Sequence, residues 1–257
     1  MLTTRVIPVL LKRRKALVKT IKFNKFNYIG DPLNTIQIFN NLEVDELAFL
    51  DITASKEGRE PDYELISEMA SECFMPLAYG GGVKTVEQMK KIFSLGIEKI
   101  IICSEALANS DLIKKAASLF GNQSIVVSID VYKNLWGKYE VATVSGIHKT
   151  KVEAIDFARK MEAAGAGEIM INSIDNDGQM KGYDLELIKM ISEQVSIPVI
   201  ACGGAGVYQD LEKAVKAGAS AVAAGSLFVY QNANRNVLIN YPDEQDMRDI
   251  FGKESGR

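Results

Sequence analysis

Histidine is almost missing from this chain. His148 is the only one in 257 residues, as Trp136 is the only tryptophan. One imidazole excludes most histidine-ligated metal centres and the Ser-His-Asp mode of catalysis. Cysteine is scarce as well: Cys73, Cys103 and Cys202 are odd in number, far apart, and each in or beside an apolar run, with no CxxC pair. Neither a disulfide framework nor a zinc site is expected, and a reducing, cytoplasmic setting is. No apolar run reaches the length of a membrane span, so no membrane partner is expected. The basic start, with RVIPVLL at 5–11, is too short and wrongly flanked for a signal peptide. Neither sign of charge dominates: 30 basic and 33 acidic residues leave −3, which argues against non-specific nucleic-acid binding. Low-complexity segments are absent too, which excludes disordered and collagenous classes.

What the chain does have is alternation. Near-continuous apolar runs stand at 5–11, 46–52, 75–80, 99–104, 124–131, 168–174, 198–203 and 221–227. Runs of that kind mark parallel strands buried on both faces. Helical periodicity fills the gaps, as at 85–95, where Val86, Met89, Ile92 and Phe93 share one face; 151–164, 184–194 and 208–217 read the same way. Gly96, Gly165 and Gly218 are placed to stop three of these helices. Eight such units predict a (β/α)8 barrel. The two halves resemble each other at a constant offset: Glu46/Glu168, Pro76/Pro198, Gly82/Gly204, Gly96/Gly218 and Ser104/Ser226 all lie 122 residues apart. A doubly wound open sheet explains the alternation but not this symmetry, so a barrel built from two similar half-barrels is expected. No linker interrupts residues 1–257, which read as a single domain with a polar tail from Pro242 that frays.

In such barrels the chemistry sits at the C-terminal ends of the strands. Gly80-Gly81-Gly82 and Gly203-Gly204-Ala205-Gly206 follow the third and seventh strands, and Ser104 and Ser226 end the fourth and eighth. Backbone N–H groups without a Cβ in the way can close on phosphate oxygens, and hydroxyls can add donors. Tight turns alone would explain one such glycine cluster; two in register, each with a serine, favour a substrate with a phosphate at each end. Asp130 ends the fifth strand, where poor solvation can tune it for proton transfer. A capping or salt-bridging role is the alternative there. Asp51 and Asp177-Gly178 are further strand-end groups, Asp51 the more structural in outlook. Arg5, Glu46, Lys99 and Glu168 begin four strands and can ring the barrel's floor, either as a plain salt-bridge cluster or as a gate into the core; the residues leave both open. Residues 1–25 carry eight basic side chains and no acid. They suggest a mobile cationic loop over a phosphorylated ligand, in which Lys12 to Lys15 read as solvated charge and Lys19 as the functional member.

Together these residues resemble the HisF family, the cyclase subunit of imidazole glycerol phosphate synthase. The likeness rests on RVIP at 5–8, Val18-Lys19, Gly30-Asp31-Pro32, LDITAS at 50–55, GGG at 80–82, Ser128-Ile129-Asp130, GAGE at 165–168, SIDNDG at 173–178, Gly182-Tyr183-Asp184 and CGGAG at 202–206. It spans nearly the whole chain. The resemblance implies a barrel, without cofactor or metal, that takes ammonia from a HisH-like glutaminase docked on its floor. It implies that Arg5, Glu46, Lys99 and Glu168 gate that ammonia. Asp130 is then catalytic. Gly81, Gly82, Ser104, Asp177, Gly178, Gly204, Ala205, Gly206, Gly225 and Ser226 hold the two phosphates of a small-molecule substrate, and Lys19 lies on the substrate loop.

The chain departs from the family where its first strand ends. The family's aspartate falls at position 11, where this chain has Leu11; its Asn-Thr at the fourth strand is Cys103-Ser104, and Val229 stands where many members have histidine. Leucine moves no proton, so one of two acid–base groups is missing. Residues 19–23, 28–32 and 73–76 resemble the WbuZ-type branch, which accompanies a glutaminase and a sugar amidotransferase in lipopolysaccharide biosynthesis. The expected function is thus a HisF-like subunit of a glutamine amidotransferase complex serving surface-sugar amidation. An authentic lyase/cyclase of histidine biosynthesis and a non-catalytic scaffold for the glutaminase are the alternatives.

Overall fold

The computed structural model describes residues 4–231 and 235–252. Twelve strands form one sheet. They are β1 (Arg5–Arg13), β2 (Ala16–Ile21), β3 (Lys25–Gly30), β4 (Leu47–Asp51), β5 (Leu77–Gly80), β6 (Lys99–Ile102), β7 (Ile125–Lys133), β8 (Tyr139–Thr143), β9 (His148–Glu153), β10 (Glu168–Ser173), β11 (Val199–Cys202) and β12 (Ala221–Ala224). Eight of them close a parallel ring in the order β1-β4-β5-β6-β7-β10-β11-β12, with β12 pairing back on β1. Closure removes the sheet edges that would otherwise need covering. With helices on the outside, this is a (β/α)8 barrel, as the alternation predicts.

Each ring strand buries both faces, which is why its sequence is apolar throughout. Inward residues such as Ile7, Ala48, Ala78, Ile101, Met170 and Ile200 pack into a separate core inside the barrel. Outward ones such as Phe49 and Tyr79 meet the helices. Those helices are α1 (Pro32–Asn41), α2 (Ala54–Glu57), α3 (Tyr63–Glu72), α4 (Val86–Ser94), α5 (Ser104–Ala108), α6 (Ser110–Phe120), α7 (Ala154–Ala163), α8 (Leu185–Ser192), α9 (Tyr208–Lys216), α10 (Ser226–Val229) and α11 (Glu244–Phe251). No described helix is long and apolar enough to cross a membrane.

Local chemistry sets the helix ends. Asp31, Asp62, Thr85 and Asp184 each cap a helix by accepting a backbone N–H three residues on. Gly96, Gly165 and Gly218 follow the last turns of α4, α7 and α9 at φ of +101°, +101° and +110°, the left-handed exit that glycine takes most readily. The 122-residue offset runs through the fold: α3 and α8, α4 and α9, β5 and β11, and β6 and β12 start at matching positions, and so do the caps Asp62 and Asp184.

Three expectations need correction. The cationic segment after the first strand is an ordered ribbon, with β2 pairing antiparallel to both β1 and β3. Lys12 is no solvated charge: it is 4% exposed, with its ammonium between Asp51 (3.2 Å) and Asp62 (2.8 Å). The helix expected over 151–164 begins only at Ala154, because β9 pairs with β8 through Glu153. Over its described residues the tail from Pro242 carries a helix. Asp243 caps α11, which buries Ile250, and Tyr241 donates its hydroxyl to the Val6 carbonyl (2.9 Å). Residues 253–257 of that tail lie outside the described residues.

Candidate active site

A cavity of about 470 Å³ opens at the C-terminal ends of the ring strands. Asp130 reaches it from the end of β7, and Leu11 from β1. Asp130 is 7% exposed. One carboxylate oxygen accepts from Asn172 Nδ2 (3.3 Å) and the other from the Cys103 thiol (3.4 Å). Burial pushes its carboxyl up to about 6, against the pull of those two donors. A group titrating there can both take and return a proton near neutrality. Leu11 adds only hydrocarbon to the same cavity.

Burial likewise pushes the Cys103 thiol well above its ordinary value and the Cys202 thiol up to about 12. Both therefore stay protonated, Cys103 as a donor to Asp130 rather than a nucleophile. The carbonyl oxygen of Asn172 is buried without a partner among the described residues. It lies against Gly203, where an added Cβ would meet it at 2.9 Å.

Lys19 sits on β2, 4% exposed, and donates to the Val9 carbonyl. Burial lowers its ammonium to about 8, with Asp177 opposing the fall. Its side chain crosses Gly225, where an added Cβ would stand 2.0 Å from Nζ. Glycine at 225 is what lets the cation lie over the mouth of β12.

The glycine turns are only partly available to an anion. Gly81, Gly82, Gly204, Ala205, Gly225, Ser104 and Ser226 line the cavity. Gly206 does not; its N–H is held by Asp210 (3.0 Å). Asp177 lines the cavity, but its carboxylate accepts from the Thr20 hydroxyl (2.6 Å) and the Phe23 N–H (3.1 Å), and its own N–H bonds to Ser173. It latches the β2–β3 ribbon over the mouth and has no donor left for phosphate. Gly178 is in place at φ +65°. Ser104 accepts the Val144 N–H (2.8 Å), which leaves its hydroxyl proton for a ligand.

On the opposite face the four expected charges meet. Arg5 pairs with Glu46 and with Glu168 (2.5 Å), and Lys99 with Glu46 (2.9 Å) and Glu168 (3.3 Å). The two carboxylates are nearly buried and the cations partly so. This closed ring sits under the apolar interior of the barrel, so it is the floor of a column that ends at the cavity.

Sequence reasoning missed two features. The first is the buried network at the end of β4, where Asp51 receives Lys12, Arg59, the Thr53 hydroxyl and the N–H groups of Thr53 and Ala54. Burial pushes the Asp51 carboxyl up, but these partners together hold it below its ordinary value. The second is the ribbon β8–β9, whose turn reaches across the mouth so that Ser145 donates to the Ile52 carbonyl (2.8 Å). It is the counterpart of β2–β3, its strands starting 123 residues on and so one residue off the repeat, a signal that was there to be read.

Comparisons with known proteins agree with this geometry. The family profile described as "Histidine biosynthesis protein" matches residues 5–234. A Pseudomonas aeruginosa protein, provisionally named imidazole glycerol phosphate synthase subunit hisF2, is 52% identical over 95% of this chain and 97% of its own length. A Leptospira interrogans protein, provisionally named HisF, is 49% identical over 98% and 100%. The imidazole glycerol phosphate synthase subunit HisF of Alkaliphilus metalliredigens is 43% identical over 91% and 93%. With a closed parallel barrel, the four-charge floor and the glycine turns in their places, the chain belongs to the histidine biosynthesis protein family, in its HisF group of imidazole glycerol phosphate synthase subunits.

Proposed function

We propose that this chain is the ammonia-receiving synthase subunit of a cytoplasmic glutamine amidotransferase pair, and that its branch serves amidation of a surface-polysaccharide sugar rather than imidazole ring closure. A HisH-like glutaminase would dock under the Arg5–Glu46–Lys99–Glu168 ring, and a sugar amidotransferase would consume the nitrogen. The observation that carries the reading is the pairing of an intact floor and apolar column with a cavity holding one acid–base carboxylate, Asp130, beside Leu11. A dry column admits neutral ammonia and resists ammonium, since an unpaired charge among apolar side chains is strongly disfavoured. At the top, Asp130 can accept or return one proton. Closing a ring after cleavage calls for a second group on the other side of the substrate, and a leucine supplies none.

The cavity is also compatible with an authentic cyclase, because Asp130 near 6 is suited to general catalysis. An ammonia-dependent turnover assay on the bis-phosphorylated ribulosyl nucleotide separates the two readings. Loss of one proton-transfer group lowers rates by about 10²–10⁴, so the chain should turn over at that depressed level or below. Formation of imidazole glycerol phosphate at the rate of a complete enzyme would overturn the proposal. Leu11→Asp is the companion variant: recovered turnover would locate the defect at position 11.

A further inference from the structure

We propose that the cavity-mouth face docks on an anionic bilayer surface through two hairpin corners, one cationic at Arg13–Lys15 and one apolar at Leu135–Trp136. This goes beyond the function proposed above and does not depend on it.

The corners are a matched pair. β1 and β7 are four places apart in the eight-strand ring, so they stand on opposite sides of the mouth. Each runs past the ring and turns back into an antiparallel partner, β2 or β8. Both corners therefore lie at the cavity-mouth end of the barrel. Arg13, Arg14 and Lys15 are exposed at the first corner. At the second, Leu135 is 98% and Trp136 84% exposed.

The apolar corner is presented rigidly. Asn134 Oδ1 accepts the N–H groups of Trp136 (2.9 Å) and Lys138 (3.0 Å), and Asn134 Nδ2 donates to Glu140 (2.7 Å). These bonds fix the backbone of the turn that carries the two exposed side chains. Lys133 and Lys138 beside it are paired with Glu186 and Glu153, so no unpaired carboxylate of those pairs opposes an anionic surface. At the other corner, Arg13 stacks over Phe26 (4.3 Å), which is itself 42% exposed.

The exposed side chains at the two corners are few, two apolar at one and three cationic at the other, whereas a stable protein interface buries about 20–30 residues a side. A bilayer interface deforms around separate knobs. It takes tryptophan and leucine at the acyl boundary, and arginine and lysine at the level of anionic headgroups. Charge fits as well: three adjacent cations crown one corner of a chain whose net charge is −3. Docked this way, the floor stays free and the cavity faces the headgroup layer.

The test uses the full chain and vesicles of phosphatidylglycerol with phosphatidylethanolamine, against vesicles of phosphatidylcholine alone. Trp136, the sole tryptophan, reports insertion by a blue shift of its emission, and flotation measures partitioning. We expect a blue shift and flotation with the anionic vesicles only, weakened by salt. Leu135→Glu keeps the reporter and should abolish the shift. The double variant Arg13→Glu/Arg14→Glu should lower partitioning by at least about tenfold, given roughly 1 kcal/mol per basic residue near such a surface. All these positions are exposed, and unchanged melting temperatures will confirm folding. No flotation, equal binding to neutral vesicles, or binding indifferent to Leu135→Glu would each overturn the proposal; the first would leave a protein as the face's partner.

Discussion

Asp130→Asn should make the protein more stable at neutral pH while removing its chemistry. The carboxyl titrates at about 6 in the fold against 3.8 when unperturbed, and burial is the largest cause. Between those two values the folded chain binds a proton that the unfolded chain has released, so stability falls as pH rises through the window. Above pH ~6 the full difference applies. The roughly two-unit difference corresponds to about 3 kcal/mol. Asparagine keeps the shape and an oxygen for the Asn172 amide, and it carries no charge to desolvate. For a chain of this length each kcal/mol moves the melting temperature by about 2–4 °C. The variant should therefore melt up to about 6–12 °C above wild type near pH 7.5, and close to wild type near pH 4. Differential scanning fluorimetry across that range is the assay. An Asp130→Asn protein that melts at or below the wild-type temperature near pH 7.5 would refute the claim that burial dominates this site.

Lys12→Met should destabilise the fold by about 3–5 kcal/mol, read by chemical denaturation, because it strips the buried Asp51 carboxylate of an ion pair. Its effect should shrink in acid, since Asp51 sits below its ordinary value and its stabilisation is lost as pH falls through that lowered value. Gly178→Ala should cost about 1–3 kcal/mol and loosen the β2–β3 ribbon, seen as faster amide exchange over 16–30, because the new Cβ would stand 2.0 Å from the Thr20 carbonyl oxygen at φ +65°. Lys99→Met should change stability by only about 1 kcal/mol or less, the floor being partly solvated. With the glutaminase present it should release glutamine nitrogen to solvent, as followed by isotope labelling.

The barrel was legible because burial on both faces writes itself into a strand as an unbroken apolar run, and because duplication repeats the register. The floor was legible for a related reason: a charge opening an apolar strand can only sit at a mouth. The ribbons were not. β2 carries Lys19 and β3 carries Lys25, with Lys22 in the turn between them, and β9 reads HKTKVE. β3 and β9 are largely exposed and so look like charged loop, while in β2 a buried lysine interrupts the apolar run. Lys12 misled for the same reason in reverse. Its neighbours are exposed cations, and nothing local announces that Asp51, 39 residues on, waits for it. At Asp177 and Gly206 the sequence shows which backbone is glycine-rich but not which N–H groups are already bonded.

The duplicated halves also explain how one acid could be lost without collapse of the site. Position 11 and Asp130 lie on β1 and β7, opposite strands with matching ribbons, so each half carries its own support. Asp130 depends on Asn172 from β10 and Cys103 from the end of β6, and neither touches Leu11 in those bonds. On β1 the support lies behind the site, where Lys12 ties the strand to β4 and α3. Replacing a carboxylate at 11 by a leucine removes a group from the cavity wall while the wall itself remains braced by its neighbour at 12. The column below is equally untouched, since Ile7 and the inward residues of the other strands pack among themselves. Under the proposed reading, in which the column delivers ammonia, a leucine at 11 leaves that path in place, so delivery without ring closure is a physically coherent role for this chain.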